Sequence, residues 1–96
     1  MRSVLRRIFA AVLCVMLLSQ TAFAYSTLEK GDSGSDVKKM QQALTKLGYT
    51  VEADGKYGTE TVNTVKLFQK DYGLQVDGVA GDETLTMLYY LSDSLP

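Results

Sequence analysis

Asp54-Gly55-Lys56-Tyr57-Gly58-Thr59-Glu60-Thr61 is answered 23 residues later by Asp77-Gly78-Val79-Ala80-Gly81-Asp82-Glu83-Thr84, so Asp-Gly-x-x-Gly-x-Glu-Thr occurs twice in one short chain. An Asp-Gly pair marks a tight turn, because Asp hydrogen-bonds its own backbone and Gly accepts positive φ. The second glycine of each motif, Gly58 or Gly81, is expected to let the chain enter the next helix at close quarters. Glu60 and Glu83 then stand where they could cap free N–H groups, and Thr61 and Thr84 where they could pack beneath the loop. Upstream, Leu47-Gly48-Tyr49 corresponds to Tyr72-Gly73-Leu74. The unit reads as helix, capping glycine, short extended piece, Asp-Gly turn, next helix.

Periodicity supplies the helices. Over 36–47, Val37, Met40, Ala43, Leu44 and Leu47 share one stripe, opposite Lys38, Gln42 and Lys46, and Gly48 stops the run. Ser33 followed by Asp36 resembles a capping box. Over 59–72, Val62, Val65, Phe68 and Tyr72 face inward before Gly73. Its β-branched residues are weak helix formers, so tertiary packing must hold it. Asp82 to about Leu91 forms a third helix that buries Leu85, Leu88 and Leu91. Two copies are too few for a solenoid. The expected architecture is all-α: a compact three-helix domain with an internal pseudo-repeat.

The 96 residues carry a formal net charge of −1, one cysteine and no histidine. The average conceals two unlike segments. Residues 1–24 hold 17 of the 44 hydrophobic residues, Arg2, Arg6, Arg7 and Cys14, and no acid. Their order is basic start, an uncharged run of 11 residues from Ile8 to Leu18, then Ala22-Phe23-Ala24. That is the order of a secretory signal peptide, with cutting expected after Ala24. The run is too short to span a bilayer, which needs about 20 residues, so no membrane span is expected after cleavage. Residues 25–96 form the domain, with its core over 28–91. They contain seven lysines and eleven acids, a net charge of −4.

Composition removes most chemistry. Without histidine, and with the cysteine in the leader, the usual zinc ligands, thiol nucleophiles and Ser-His pairs are missing. Neither Asp-Gly loop fits an EF-hand: its third and fifth positions are Lys56 and Gly58 in one, Val79 and Gly81 in the other. An acidic domain is a poor partner for nucleic acid. A hydrolase using Asp54 and Asp77 would need burial that so small a core hardly supplies. No enzyme activity, metal or cofactor is expected.

Three stretches read together add a resemblance. They are Leu28-x-x-Gly31-Asp32-Ser33-Gly34-Ser35-Asp36-Val37-x-x-Met40-Gln41-x-x-Leu44-x-x-Leu47-Gly48-Tyr49, Asp54-Gly55-x-Tyr57-Gly58-x-x-Thr61-x-x-x-Val65-x-x-Phe68-Gln69 and Gly73-Leu74-x-Val76-Asp77-Gly78-x-x-Gly81-x-x-Thr84-x-x-x-Leu88. The combination closely resembles the peptidoglycan-binding-like domain found beside bacterial cell-wall hydrolases, and is similar to the modules of spore cortex-lytic enzymes. Met40 stands where that family usually has leucine, a volume-conserving core swap. The resemblance implies a non-catalytic wall-binding module of the exported envelope, in the wall or periplasm. The chain ends five residues after Leu91, so the expectation is that it acts alone or serves a separate cell-wall hydrolase. The alternative is an envelope protein-interaction domain, an adaptor or inhibitor of a hydrolase.

A wall binder needs exposed aromatic faces, amides and hydroxyls, and a few cations. The expected surface is therefore the first connection, Tyr49, Tyr57 and Lys56, with Gln41 and Gln69 as amide partners. Tyr57 leads because Ala80 stands at the matching place in the second turn, so turn geometry does not demand a bulky ring. Tyr49 and Gln69 read equally well as braces between loop and helix. Tyr72 is placed in the core and Tyr25 in a loose terminus.

Overall fold

The computed structural model describes residues 25–96. The expected signal peptide, residues 1–24, lies outside them. Three helices follow in order, α1 (Ser35–Lys46), α2 (Thr59–Asp71) and α3 (Asp82–Asp93), and among the described residues pairing of β type is confined to two isolated antiparallel bridges. The all-α expectation holds, with boundaries moved by one or two residues.

Each helix buries one stripe at three- and four-residue intervals, as a 3.6-residue turn requires. For α1 these are Val37, Met40, Gln41, Ala43 and Leu44; for α2, Thr61, Thr64, Val65, Phe68 and Gln69; for α3, Thr84, Leu85, Leu88, Tyr89 and Ser92. Helix α1 packs chiefly on α3 and also on α2. Phe68 and Met40 are fully buried at the centre, with Leu28, Val51, Tyr57 and Ala80 completing the core from the connections. Burying each large apolar side chain contributes about 1.5–3 kcal/mol, which a domain without disulfides must gather by packing.

Both α1 and α2 end in the same way. The Gly48 N–H donates to the Thr45 carbonyl and the Tyr49 N–H to Leu44, while the Gly73 N–H donates to Lys70 and the Leu74 N–H to Gln69. These paired bonds are Schellman motifs, with glycine at the left-handed position. Helix starts differ from expectation. Gly34, Gly58 and Gly81 are the N-caps and none has a side-chain capping bond. The Ser33–Asp36 capping box is absent because Ser33 pairs with Lys56 instead. Glu60 accepts the N–H of Glu52 rather than one in its own helix.

The close-approach role also moves. No atom lies within 4 Å of where a Cβ would sit on Gly58 or Gly81. The tight position is Gly78, at φ +74, where a Cβ would come 2.9 Å from Val62 Cγ1 and 3.1 Å from Lys66 Cε. Only a residue with no Cβ tolerates both the conformation and the contact. Tyr72 is corrected as well. It terminates α2 with its ring 4.9 Å from that of Phe68, covering the core from outside and remaining 41% exposed.

Residues 28–34 form a strap that visits both turns. Leu28 exchanges two backbone bonds with Ala80, the Gly31 N–H donates to the Tyr57 carbonyl, the Tyr57 N–H to Asp32, and the Gly34 N–H to Gly55. The strap reaches the second turn at one residue and the first turn along its length.

Candidate functional site

Each Asp-Gly turn is held by a glutamine from the helix before it and a threonine from the helix after it. In the first turn the Gly55 N–H donates to Gln41 Oε1 at 2.8 Å, and Gln41 Nε2 donates to the Lys56 carbonyl at 2.9 Å and to Thr61 Oγ1 at 3.0 Å. In the second, the Asp77 and Gly78 N–H groups donate to Gln69 Oε1 at 3.0 Å each. Gln69 Nε2 donates to Asp77 Oδ1 and the Val79 carbonyl, both at 2.9 Å, and to Thr84 Oγ1 at 3.1 Å. Both glutamines are essentially inaccessible to solvent. Among the described residues, no buried side-chain polar atom lacks a partner. A buried amide left unpaired would cost about 1–3 kcal/mol per group, so these two networks are what make glutamine tolerable in the core.

The carboxylates complete the pattern. Asp54 Oδ1 accepts the Lys56 N–H at 2.9 Å and Asp77 Oδ1 the Val79 N–H at 3.0 Å. These backbone bonds, followed by the glutamine amides, hold both carboxyls below the usual aspartate range. They are therefore ionised acceptors built into turns. A carboxyl used as a general acid needs the opposite shift. Among the described residues no three His, Cys, Asp or Glu side chains are grouped to hold a metal ion.

The residues expected to bind are brought close together, but most of them face inward. Tyr57 is 2% exposed, and its hydroxyl donates to the Gly78 carbonyl at 2.6 Å. Burial raises its pKa. The expectation of a free ring at Tyr57 is thus overturned: the side chain reaches from the first turn to the second. Gln41 and Gln69 cannot serve as surface amides, since both ends of each are engaged inside. Tyr49 is half-buried. Its ring meets the edge of Phe68 at 6.0 Å and its hydroxyl donates to Asp71 Oδ2 at 2.5 Å, and burial, then that bond, raises its pKa. It is a brace with an exposed rim. Lys56 alone of the five is fully on the surface.

A groove of about 220 Å³ opens beside the second turn, lined by Thr27, Gln75, Asp77, Asp82, Glu83 and Thr84 among others. Three of its side chains are carboxylates, so its chemistry suits amide, hydroxyl and ammonium donors. In the sequence Glu83 reads only as a cap for free N–H groups, which does not reach this groove. A second, smaller recess of about 90 Å³ lies between Tyr25, Lys39 and Tyr89.

The family model described as "Putative peptidoglycan binding domain" matches residues 33–88, more than half of the chain and both turns. The chain belongs to this peptidoglycan-binding domain family. Over 60 residues, 62% of the chain, it is 47% identical to the N-acetylmuramoyl-L-alanine amidase CwlM of Mycobacterium tuberculosis, of which the match covers 15%. Over 75 residues, 77% of the chain, it is 39% identical to a spore cortex-lytic enzyme of Bacillus cereus, of which it covers 29%. The chain thus spans less than a third of these curated relatives. The crystal structure of the SleB N-terminal domain is similar with a TM-score of 0.68 at 39% identity, over 74% of this chain and 99% of that one. The peptidoglycan-binding family expected from residues 28–91 is therefore the family found. Within it, Met40 fills its core position completely.

Proposed function

We propose that the domain is a secreted, non-catalytic module that binds peptidoglycan, alone or as accessory to a separate wall hydrolase. Membership of residues 33–88 in the peptidoglycan-binding family carries this reading. The relatives named as amidase and cortex-lytic enzyme are several times longer than the match, which agrees with a module that holds while another part cuts. A leader at 1–24 and a polymer outside the membrane agree on an extracellular, wall or periplasmic site. No helix among the described residues is long and apolar enough to cross a membrane.

The contact surface follows from what the turns leave free. Lys56, the rim of Tyr49, and the groove beside Gln75 and Glu83 present a cation, an aromatic edge, an amide and carboxylates to the polymer's stem-peptide and sugar groups. Co-sedimentation of the exported chain with purified insoluble peptidoglycan tests the reading. The protein should pellet with the wall at moderate salt, and failure to do so would overturn the proposal. Lys56→Ala and Gln75→Ala should each weaken pelleting without unfolding the domain, since both side chains are exposed.

A second reading, an adaptor or inhibitor of a hydrolase, has one observation in its favour: Leu67 and Tyr90 are 54% and 70% exposed. Exposed apolar side chains mark protein contacts when they gather into a patch. Retention of an envelope protein by the domain, with no affinity for stripped wall, would favour it.

A further inference from the structure

Two observations meet at Tyr25. In the sequence it follows Ala22-Phe23-Ala24, small residues one and three positions before the bond, behind the uncharged run and three arginines. In the structure its backbone nitrogen donates to Asp82 Oδ1 at 2.8 Å. Its ring lies 5.2 Å from that of Tyr89, over which the Lys39 ammonium also sits at 5.0 Å. Tyr25, Ser26 and Thr27 are exposed and outside any helix, and the chain is first clamped at Leu28, whose backbone pairs with Ala80.

Resting on the leader cleavage expected after Ala24, we propose that the Tyr25 nitrogen, once freed as an α-ammonium, is held by the Asp82 carboxylate. The step is a hydrolysis by a leader peptidase of the export machinery. Water adds its oxygen to the Ala24 carbonyl carbon, the C–N bond breaks, and the protons of that water complete an ammonium on Tyr25 opposite a carboxylate on Ala24. Before cleavage the Tyr25 nitrogen offers Asp82 one neutral donor; afterwards it offers three and a full charge. Bonds between charged groups are about twice as strong as neutral ones. The start of α3 carries a partial positive charge of about half a unit, which opposes an ammonium there. Asp82 and Glu83 together outweigh it. Cleavage would thus exchange the tether to the leader for a charged latch that holds residues 25–27 against the start of α3 and the ring of Tyr89.

The test begins with the full chain exported from a bacterial host. Mass spectrometry of the product should give Tyr25 as first residue with a free α-amine. An intact 1–24 segment, or a product starting elsewhere, overturns the proposal. The latch is then read by the labelling rate of the α-amine with an aldehyde reagent selective for N-terminal amines. Asp82→Asn should speed labelling about threefold, the scale of one exposed ion pair. Asp93→Asn, at the opposite end of α3 from Asp82, should leave it unchanged. Because Asp82 is exposed, both variants should fold, which circular dichroism checks. As a measurement independent of any fold defect, 1 M salt should speed labelling of the unaltered protein and not of Asp82→Asn, since a Debye length of about 3 Å screens the pair. Equal rates in the two proteins, with and without salt, would show that Asp82 does not hold the amine.

Discussion

The two turns of this domain share one hydrogen-bonding scheme and differ in what covers them. Around Gln41 the strap lies along the turn, from Gly31 to Gly34, and covers the first network with backbone. Around Gln69 the strap touches only at Leu28, and the groove beside Asp77 and Glu83 stays open. The difference teaches that a repeated local solution does not imply a repeated role. The same glutamine-stapled turn serves as core in one half and as the wall of a recess in the other.

The largest way to break the comparison is to remove a glutamine. Gln41→Leu and Gln69→Leu keep volume but leave buried turn N–H groups unpaired, and each should cost about 3 kcal/mol in urea unfolding, a large part of the stability of so small a domain. Gln69 makes five hydrogen bonds within 3.1 Å and Gln41 three, so Gln69→Leu should be the worse of the two. A far larger loss at Gln41 would show that the strap, not the amide, decides the energetics. Next, Gly78→Ala should cost about 2 kcal/mol from its left-handed backbone and the contact with Val62. Gly55→Ala, also left-handed at φ +79, meets the Gly34 carbonyl at 3.2 Å and Lys38 Cβ at 3.7 Å, no contact under 3.0 Å, and should cost less. Thermal unfolding of the pair ranks them.

Tyr57→Phe keeps the ring and removes the bond to the Gly78 carbonyl. It should cost about 1 kcal/mol and leave wall binding intact, because the hydroxyl is internal. Loss of co-sedimentation with unchanged stability would return Tyr57 to the binding surface. The smallest effect is that of acid. Asp54 and Asp77 have lowered folded pKa values, so their contribution is present above the unfolded value of about 3.9 and fades as pH falls through the folded one. Thermal midpoints from pH 6 to 2 should therefore drop below about pH 4, and drop less in the Asp54→Asn, Asp77→Asn double variant.

Helices and their glycine stops were legible because their signals are local: period 3.6 and a left-handed stop at Gly48 and Gly73. The turns were legible as turns. Of their staples, Gln69 reads both as a binding amide and as a brace, and Gln41 only as a binding amide, although Gln41 stands four residues after Val37 and Gln69 four after Val65, on the apolar stripe itself. An amide there signals a satisfied buried group more than a surface one. Tyr57 was misplaced for a different reason. Comparing it with Ala80 within one turn hides that its ring works between turns, a distance of 21 residues along the chain. The strap has no period of its own, since its pairs with Ala80, Tyr57 and Gly55 are single bridges, so nothing in residues 28–34 announces them.

The Tyr57–Gly78 bond also has a kinetic meaning. A carbonyl of one turn bonded to a side chain rooted in the other cannot be exposed without disturbing both, so the two networks should open as one cooperative unit. The amide protons of Gly55 and Gly78 should then exchange with deuterated solvent at matching rates, despite the open groove beside only one of them.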